Sequence, residues 1–297
     1  MAIFKGAGVA LVTPMKENLE VDFDRLAEIL EDQIANETDS IIITGTTGEA
    51  STLTEEEHLE VIKAAVSIVN KRIPVIAGTG SNCTQTAIKL SRQAQEVGAD
   101  GLLVVTPYYN KATQNGLISH YTQIAKNVDI PILLYNVPGR TGCRIAPETA
   151  AALVRDVDLI VGMKDAVGDI SYTLKLVEQT QGDIDLYSGE DGQVIPLLAC
   201  GGIGVISVLS NVAPKFTHDM VMKYLNGEQE EALRMQLKAI PLVEALFCEV
   251  NPIPVKAGMN LMGWNVGPLR APLSEMEGHN LERLKKAMRE FGITLKG

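Results

Sequence analysis

The feature that most constrains the fold of this chain is a series of eight short apolar runs with almost no polar alternation. They fall at 8–12, 40–44, 73–78, 101–105, 130–135, 159–164, 184–188 and 204–209, and most are rich in Val, Ile and Leu. A strand with one face in water alternates between apolar and polar residues, whereas a continuous run suits a strand covered on both faces, as in a parallel sheet. The segments between the runs have helical spacing. Over 54–70, Leu59, Ile62, Ala65, Val66 and Val69 share one face, while Glu55, Glu56, Glu57, Glu60 and Lys63 lie mostly on the other. Thr54 before three glutamates reads as an N-cap, with Glu57 as its capping-box partner.

Eight strand-and-helix units, each of roughly 25–30 residues, match the count and size of an α/β (β/α)8 TIM barrel. The competing fold is an open doubly wound sheet, which carries a glycine-rich loop after its first strand; the stretch 12–22 contains no glycine. The closed barrel is therefore the expected fold. It is expected over 1–213, with its eighth helix continuing to about 226. Helical patterns at 214–225, 228–248 and 279–291 predict a small C-terminal extension over 227–297 packed on the barrel.

Charge and composition exclude several partners. With 26 basic against 37 acidic residues and a net charge of −11, the chain has no surplus of cations to neutralise nucleic acid or an anionic membrane. No apolar run approaches the roughly 18 residues needed to span a bilayer, and the opening residues read as a first strand rather than a signal peptide. A cytoplasmic protein is expected. Cys83, Cys143, Cys200 and Cys248 form no Cys-x-x-Cys pair, so reduced, mostly packed thiols and no metal are expected.

In a TIM barrel the active site forms at the carboxyl ends of the strands. Lys164 ends the sixth run directly after Leu159, Ile160, Val161 and Met163. Desolvation makes such an amine nucleophilic, and amines attack carbonyls; a Schiff base then stabilises a neighbouring carbanion without a metal or other cofactor. The bland alternative is a lysine reaching solvent or pairing with Asp165. Tyr135 is a candidate proton carrier, its alternative a rim aromatic. Thr46 and Thr47, in a glycine-flanked turn, offer hydroxyls and N–H groups to a carboxylate, or simply lead towards a helix. Arg140, in a loop between glycines, suits a bidentate grip on a carboxylate or a surface ion pair. The run Gly201-Gly202-Ile203-Gly204 reads as a tight turn more readily than as a phosphate nest.

Six motifs in order carry a resemblance along the whole chain. They are Gly8-Val9-Ala10-Leu11-Val12-Thr13-Pro14, Gly45-Thr46-Thr47-Gly48-Glu49, Thr106-Pro107-Tyr108-Tyr109-Asn110, Tyr135-Asn136-Val137-Pro138-Gly139-Arg140-Thr141-Gly142, Gly162-Met163-Lys164-Asp165-Ala166 and Asn251-Pro252-Ile253-Pro254-Val255-Lys256. Together they resemble the 4-hydroxy-tetrahydrodipicolinate (dihydrodipicolinate) synthase family. The resemblance implies condensation of pyruvate with L-aspartate 4-semialdehyde, the committed step towards diaminopimelate and lysine. It implies an imine on Lys164, proton passage by Tyr135, Thr47 and Tyr109, and Tyr109 reaching in from a neighbouring subunit of a homotetramer, a dimer of dimers. Arg140 is then expected to hold the semialdehyde's carboxylate and the Thr46 and Thr47 N–H groups that of pyruvate, with Gly189 and Ile206 lining the pocket.

The same lysine serves sialic acid lyases and 2-keto-3-deoxy sugar-acid aldolases, but these relatives generally lack an arginine at the place of Arg140. A silent barrel, the third alternative, has no need of Lys164, Tyr135, Thr47 and Arg140 together. The region where many relatives bind lysine corresponds to Ala50, Ser51, Glu55, His58, Asn82, Thr86 and Tyr108. Glu55 stands where lysine-sensitive members often have a histidine and Thr86 where they have a glutamate, which points away from feedback inhibition. His58 reads equally as a partly exposed helix residue.

Overall fold

The computed structural model describes residues 2–296, in which eight parallel strands close into a barrel in sequential order. They are β1 Gly6–Ala10, β2 Ser40–Ile43, β3 Val75–Gly78, β4 Gly101–Val105, β5 Ile132–Asn136, β6 Ile160–Asp165, β7 Asp185–Ser188 and β8 Gly204–Ser207. β8 closes on β1, with Gly8 opposite Ile206. Each expected run holds a strand, but β1 lies two residues earlier than its run at 8–12. The reason is a change of partner: Leu11 N–H still donates to Ile42 O, at 3.0 Å, whereas Val12 N–H has turned to Asn211 Oδ1, at 3.1 Å.

Alternation along each strand sorts the side chains into two layers. Ala10, Ile42, Ile76, Leu103, Leu133, Tyr187 and Ile206 form the inner cluster. Their neighbours Val9, Ile41, Ile43, Leu102, Val104, Leu134 and Met163 face the helices and belong to the larger outer core. Continuous apolar sequence was thus required on both sides of the sheet.

The helix Glu55–Val69 begins at Thr54 with the expected reciprocal cap: Glu57 N–H donates to Thr54 Oγ1 at 3.1 Å, and Thr54 N–H to Glu57 Oε2 at 2.9 Å. Such a cap stabilises by about 1 kcal/mol. At the C-terminal side the helices Pro214–Leu225, Gln229–Leu246 and Gly278–Phe291 occupy the three expected helical patterns. A fourth, Ile253–Leu261, lies outside those patterns; Pro252 and Pro254 stand at its start, where a proline loses no hydrogen bond. Val255, Met259, Leu284 and Met288 from these helices join the same core as Val9 and Leu11. Met1 and Gly297, the outer bounds of the two expected segments, lie outside the described residues.

The turn at Gly201, with φ +99°, leads into the amino end of β8, away from the barrel's carboxyl-end mouth. All four cysteines are free, but only Cys143 is fully buried; Cys83 is exposed and Cys200 and Cys248 are half-buried, which corrects the expectation of mostly packed thiols. No helix among the described residues is long and apolar enough to cross a membrane.

Candidate active site

Lys164 lies on β6 in register with Tyr135 on β5 and Tyr187 on β7. It points into the barrel, is 6% exposed, and places Nζ 4.5 Å from the centroid of the Tyr135 ring. Asp165, one residue on, faces the other side of the sheet. Its Oδ1 accepts from Val167 N–H at 3.0 Å and its Oδ2 from Thr173 Oγ1 at 2.7 Å. Pairing of Lys164 with Asp165, the bland alternative, is therefore absent, and Tyr135 is an interior residue at 8% exposure rather than a rim aromatic.

The turn after β2 brings in two threonines. It is pinned by Gly48 N–H to Gly45 O and Glu49 N–H to Thr46 O, both at 3.1 Å, while among the described residues the N–H groups of Thr46 and Thr47 have no acceptor. Thr47 is buried and Thr46 exposed. Thr47 Oγ1 accepts from Asn251 Nδ2 at 3.0 Å. Glu49, left-handed at φ +55°, sends its carboxylate to Lys256 Nζ, at 2.8 Å, and to Arg270 N–H, at 3.0 Å. Burial pushes the Lys256 ammonium down from its ordinary value, and Glu49 opposes the shift.

Arg140 sits not in an open loop but in a one-turn helix, Pro138–Thr141, which corrects the sequence reading. Pro138 starts the turn, and Gly142, at φ +64°, ends it in the left-handed region open to glycine. Gly189 lies just past β7, where an added Cβ would stand 2.6 Å from Ala166 Cβ, so only glycine lets the two strand ends approach. Lys164, Tyr135, Thr46, Thr47, Arg140 and Gly189 all line one cavity of about 50 Å³. Glu190, Asn251, Val208, Phe247 and Ala10 complete much of its wall. Burial raises the Glu190 carboxyl above its ordinary value, as does the charge of Asp191, against a pull from Lys164 and Arg140.

Two expected site residues lie elsewhere. Ile206, 1% exposed, packs in the inner barrel cluster and is not on the cavity wall; Tyr109 is 92% exposed at φ +69°, away from the Lys164 cavity. Of the residues matched to a lysine site, Ala50, Ser51, Glu55, His58, Thr86 and Tyr108 line an adjoining groove of about 420 Å³. Asn82 is not on its wall and accepts from Asn110 Nδ2 at 3.0 Å through its carbonyl. Glu55 is paired with Lys89. His58 is buried, not partly exposed: its Nε2 lies 2.8 Å from Gly78 O, and burial holds its pKa below the ordinary value. Thr46, Tyr135 and Arg140 belong to both hollows.

Sequence reasoning assigned no role to Glu190 or Asn251, although Asn251 opens one of the six motifs and Glu190 follows Gly189 just past the seventh run. The signal was position; what was missing was the partner across the fold. The one group of three side chains with metal-ligand spacing among the described residues, Glu37, His218 and Asp219, lies outside this cavity, and Lys215 already bridges its two carboxylates.

Comparison with known proteins matches residues 3–291 to the Dihydrodipicolinate synthetase family. The chain is 58% identical over 293 residues to the 4-hydroxy-tetrahydrodipicolinate synthase of Lachnoclostridium phytofermentans, covering 99% of this chain and 100% of that one. Among solved structures, the dihydrodipicolinate synthase of Aquifex aeolicus superposes with a TM-score of 0.97 at 41% identity, covering 99% of this chain and 100% of the other. That of Thermotoga maritima gives 0.96 at 43% identity, with 99% and 100% covered. An identity above half, sustained from the first strand to the last helix, leaves one assignment: the chain belongs to the dihydrodipicolinate synthetase family.

Proposed function

We propose that this chain is a lyase that condenses pyruvate with L-aspartate 4-semialdehyde to 4-hydroxy-tetrahydrodipicolinate, in diaminopimelate and lysine biosynthesis. The observation that carries the reading is the enclosed amine of Lys164, turned away from Asp165 and facing Tyr135 in a cavity whose mouth holds Arg140. The Lys164 amine adds to C2 of pyruvate and water leaves, giving an imine. Loss of a C3 proton gives the enamine, whose carbon attacks the aldehyde. The product is a ring, so the semialdehyde's amino nitrogen must then add to C2 and expel Lys164, which is restored.

In this reading Tyr135 and Thr47 pass protons, the free N–H groups of Thr46 and Thr47 hold pyruvate's carboxylate, and Arg140 holds that of the semialdehyde. Gly189 lines the pocket, and Ile206 supports it from the inner barrel. Tyr109, extended into solvent, is assigned to a neighbouring subunit's site, in a homotetramer built as a dimer of dimers. The enzyme works in the cytoplasm without a metal or other cofactor. The departures at Glu55 and Thr86 weaken any lysine binding in the groove they share with Ala50, Ser51, His58 and Tyr108, beside Asn82.

Borohydride reduction in the presence of pyruvate, followed by peptide mass mapping, tests the shared chemistry; a Lys164 peptide without a pyruvyl adduct would end the proposal. Turnover of aspartate semialdehyde against N-acetylmannosamine and glyceraldehyde separates the synthase from the sugar-acid aldolases.

A further inference from the structure

The turn after β2 is flanked by two left-handed residues, neither of them glycine. Thr44, at φ +53°, precedes Gly45, and Glu49, at φ +55°, follows Gly48. A side chain in that region is unfavourable, most of all a β-branched one such as threonine, so the conformation persists only where its surroundings over-determine it. Between the two lie Thr46 and Thr47, whose N–H groups have no acceptor among the described residues.

The turn is held from behind, on the side away from the cavity. Thr13 Oγ1 donates to Gly48 O at 2.7 Å, and the Glu49 carboxylate accepts from Lys256 Nζ through Oε1 and from Arg270 N–H through Oε2. Lys256 also donates to Thr13 O at 3.3 Å, so one ammonium reaches both fastenings. The Glu49 carbonyl is occupied as well, accepting from Thr52 N–H at 2.9 Å. Thr13, Glu49 and Lys256 are not on the cavity wall, and the Glu49 and Lys256 side chains are closed to water. They cannot touch substrate, so whatever they do to the reaction they do through the turn.

We propose that Glu49 and Lys256 are positioning residues for pyruvate: their ion pair keeps the strained turn in the conformation that aims the Thr46 and Thr47 N–H groups at pyruvate's carboxylate. The proposal rests on the functional reading above and separates its two substrates. The aldehyde's carboxylate is assigned to Arg140, which stands on another element, Pro138–Thr141. The Thr47 hydroxyl has its own tether, Asn251 Nδ2 at 3.0 Å. Relaxing the turn therefore weakens the hold on pyruvate and spares the grip on the aldehyde.

The imine divides the reaction into two halves, so kcat/KM for pyruvate reports the first and kcat/KM for aspartate semialdehyde the second. The readout is the ratio of the first value to the second, in Lys256→Met and in the double variant Lys256→Met/Glu49→Gln, in which neither buried charge is left alone. Loss of folded enzyme lowers both values alike and cancels in this ratio. The ratio should fall about tenfold in both variants, the worth of one hydrogen bond to a charged group. A merely structural pair leaves it at the wild-type value, and an unchanged or raised ratio in either variant overturns the proposal. If Lys256→Met does not fold, the double variant decides by the same ratio. Borohydride trapping of pyruvate on wild-type Lys164 is measured first; its failure rejects the functional reading, whereas an adduct with an unchanged ratio rejects only the positioning role.

Discussion

Lys256 Nζ stands 2.8 Å from Glu49 Oε1, across 207 residues of sequence, with both side chains closed off from water. The same ammonium donates to Pro268 O at 2.7 Å and Thr13 O at 3.3 Å, so the helix Ile253–Leu261 is clamped to the turn that presents Thr46 and Thr47. Breaking such a pair leaves a buried charge alone, a cost of about 3–5 kcal/mol. Lys256→Met is expected to lose that much stability in denaturant unfolding. Adding Glu49→Gln in the same chain should recover a large part; a double variant no more stable than the single one would contradict the ion-pair account.

Lys164→Ala removes the one group assigned a covalent bond to pyruvate. The expected result is no adduct under borohydride and a fall in turnover of more than about 10³-fold. A variant that keeps turnover within tenfold of wild type would show that the imine forms elsewhere or not at all.

Arg140 lies at the mouth shared by the cavity and the groove. Arg140→Ala should raise the KM for aspartate semialdehyde by about 10–100-fold, the worth of a charge-assisted hydrogen bond. Pyruvate adduct formation should suffer far less, and equal loss in both assays would argue against a role confined to the second substrate.

Tyr109 is 92% exposed, an unusual position for an aromatic ring assigned to proton passage. If it serves a neighbour's site, mixing two inactive variants, Tyr109→Ala and Lys164→Ala, should restore activity. After subunit exchange in a symmetric dimer, about a quarter of the sites regain both groups. Mixtures as inactive as their components would place Tyr109 outside the site.

His120 is 4% exposed between two helices, its Nδ1 3.0 Å from Thr84 Oγ1 and its Nε2 without a partner among the described residues. Burial pushes its pKa down from 6.5 to about 4. The unfolded chain therefore takes up this proton near pH 6.5 and the folded chain only near pH 4. The stability tied to neutral His120 is complete above pH 6.5 and declines as pH falls towards 4. Melting temperatures of His120→Gln should fall less steeply over this window than those of wild type; parallel curves would count against the buried neutral ring.

The barrel was legible because its strands are covered on both faces, which forces continuous apolar runs that no local polar signal interrupts. Lys164 was legible for the same reason, a charge at the end of such a run, and the Thr54 cap because its partner is three residues away. Asn251, Lys256 and Glu190 were not: Asn251 takes its meaning from Thr47, Lys256 from Glu49, and Glu190 from Lys164 on β6 and Arg140 in the one-turn helix after β5. No periodicity encodes a partner 204 residues distant. The helix Ile253–Leu261 lies outside the helical patterns, and its prolines are harmless at a first turn. Tyr109 and the subunit arrangement came from the family resemblance, since nothing in the spacing points outside the chain.

The Thr47–Asn251 bond also orders events in time. Synthesis proceeds from the amino end, so all eight strands, complete by Ser207, emerge before Phe247 and Asn251, which close the cavity wall. A nascent chain can own its reactive lysine and still lack the wall that confines it. The enclosure of that lysine is therefore among the last parts of the molecule for which the chain supplies residues.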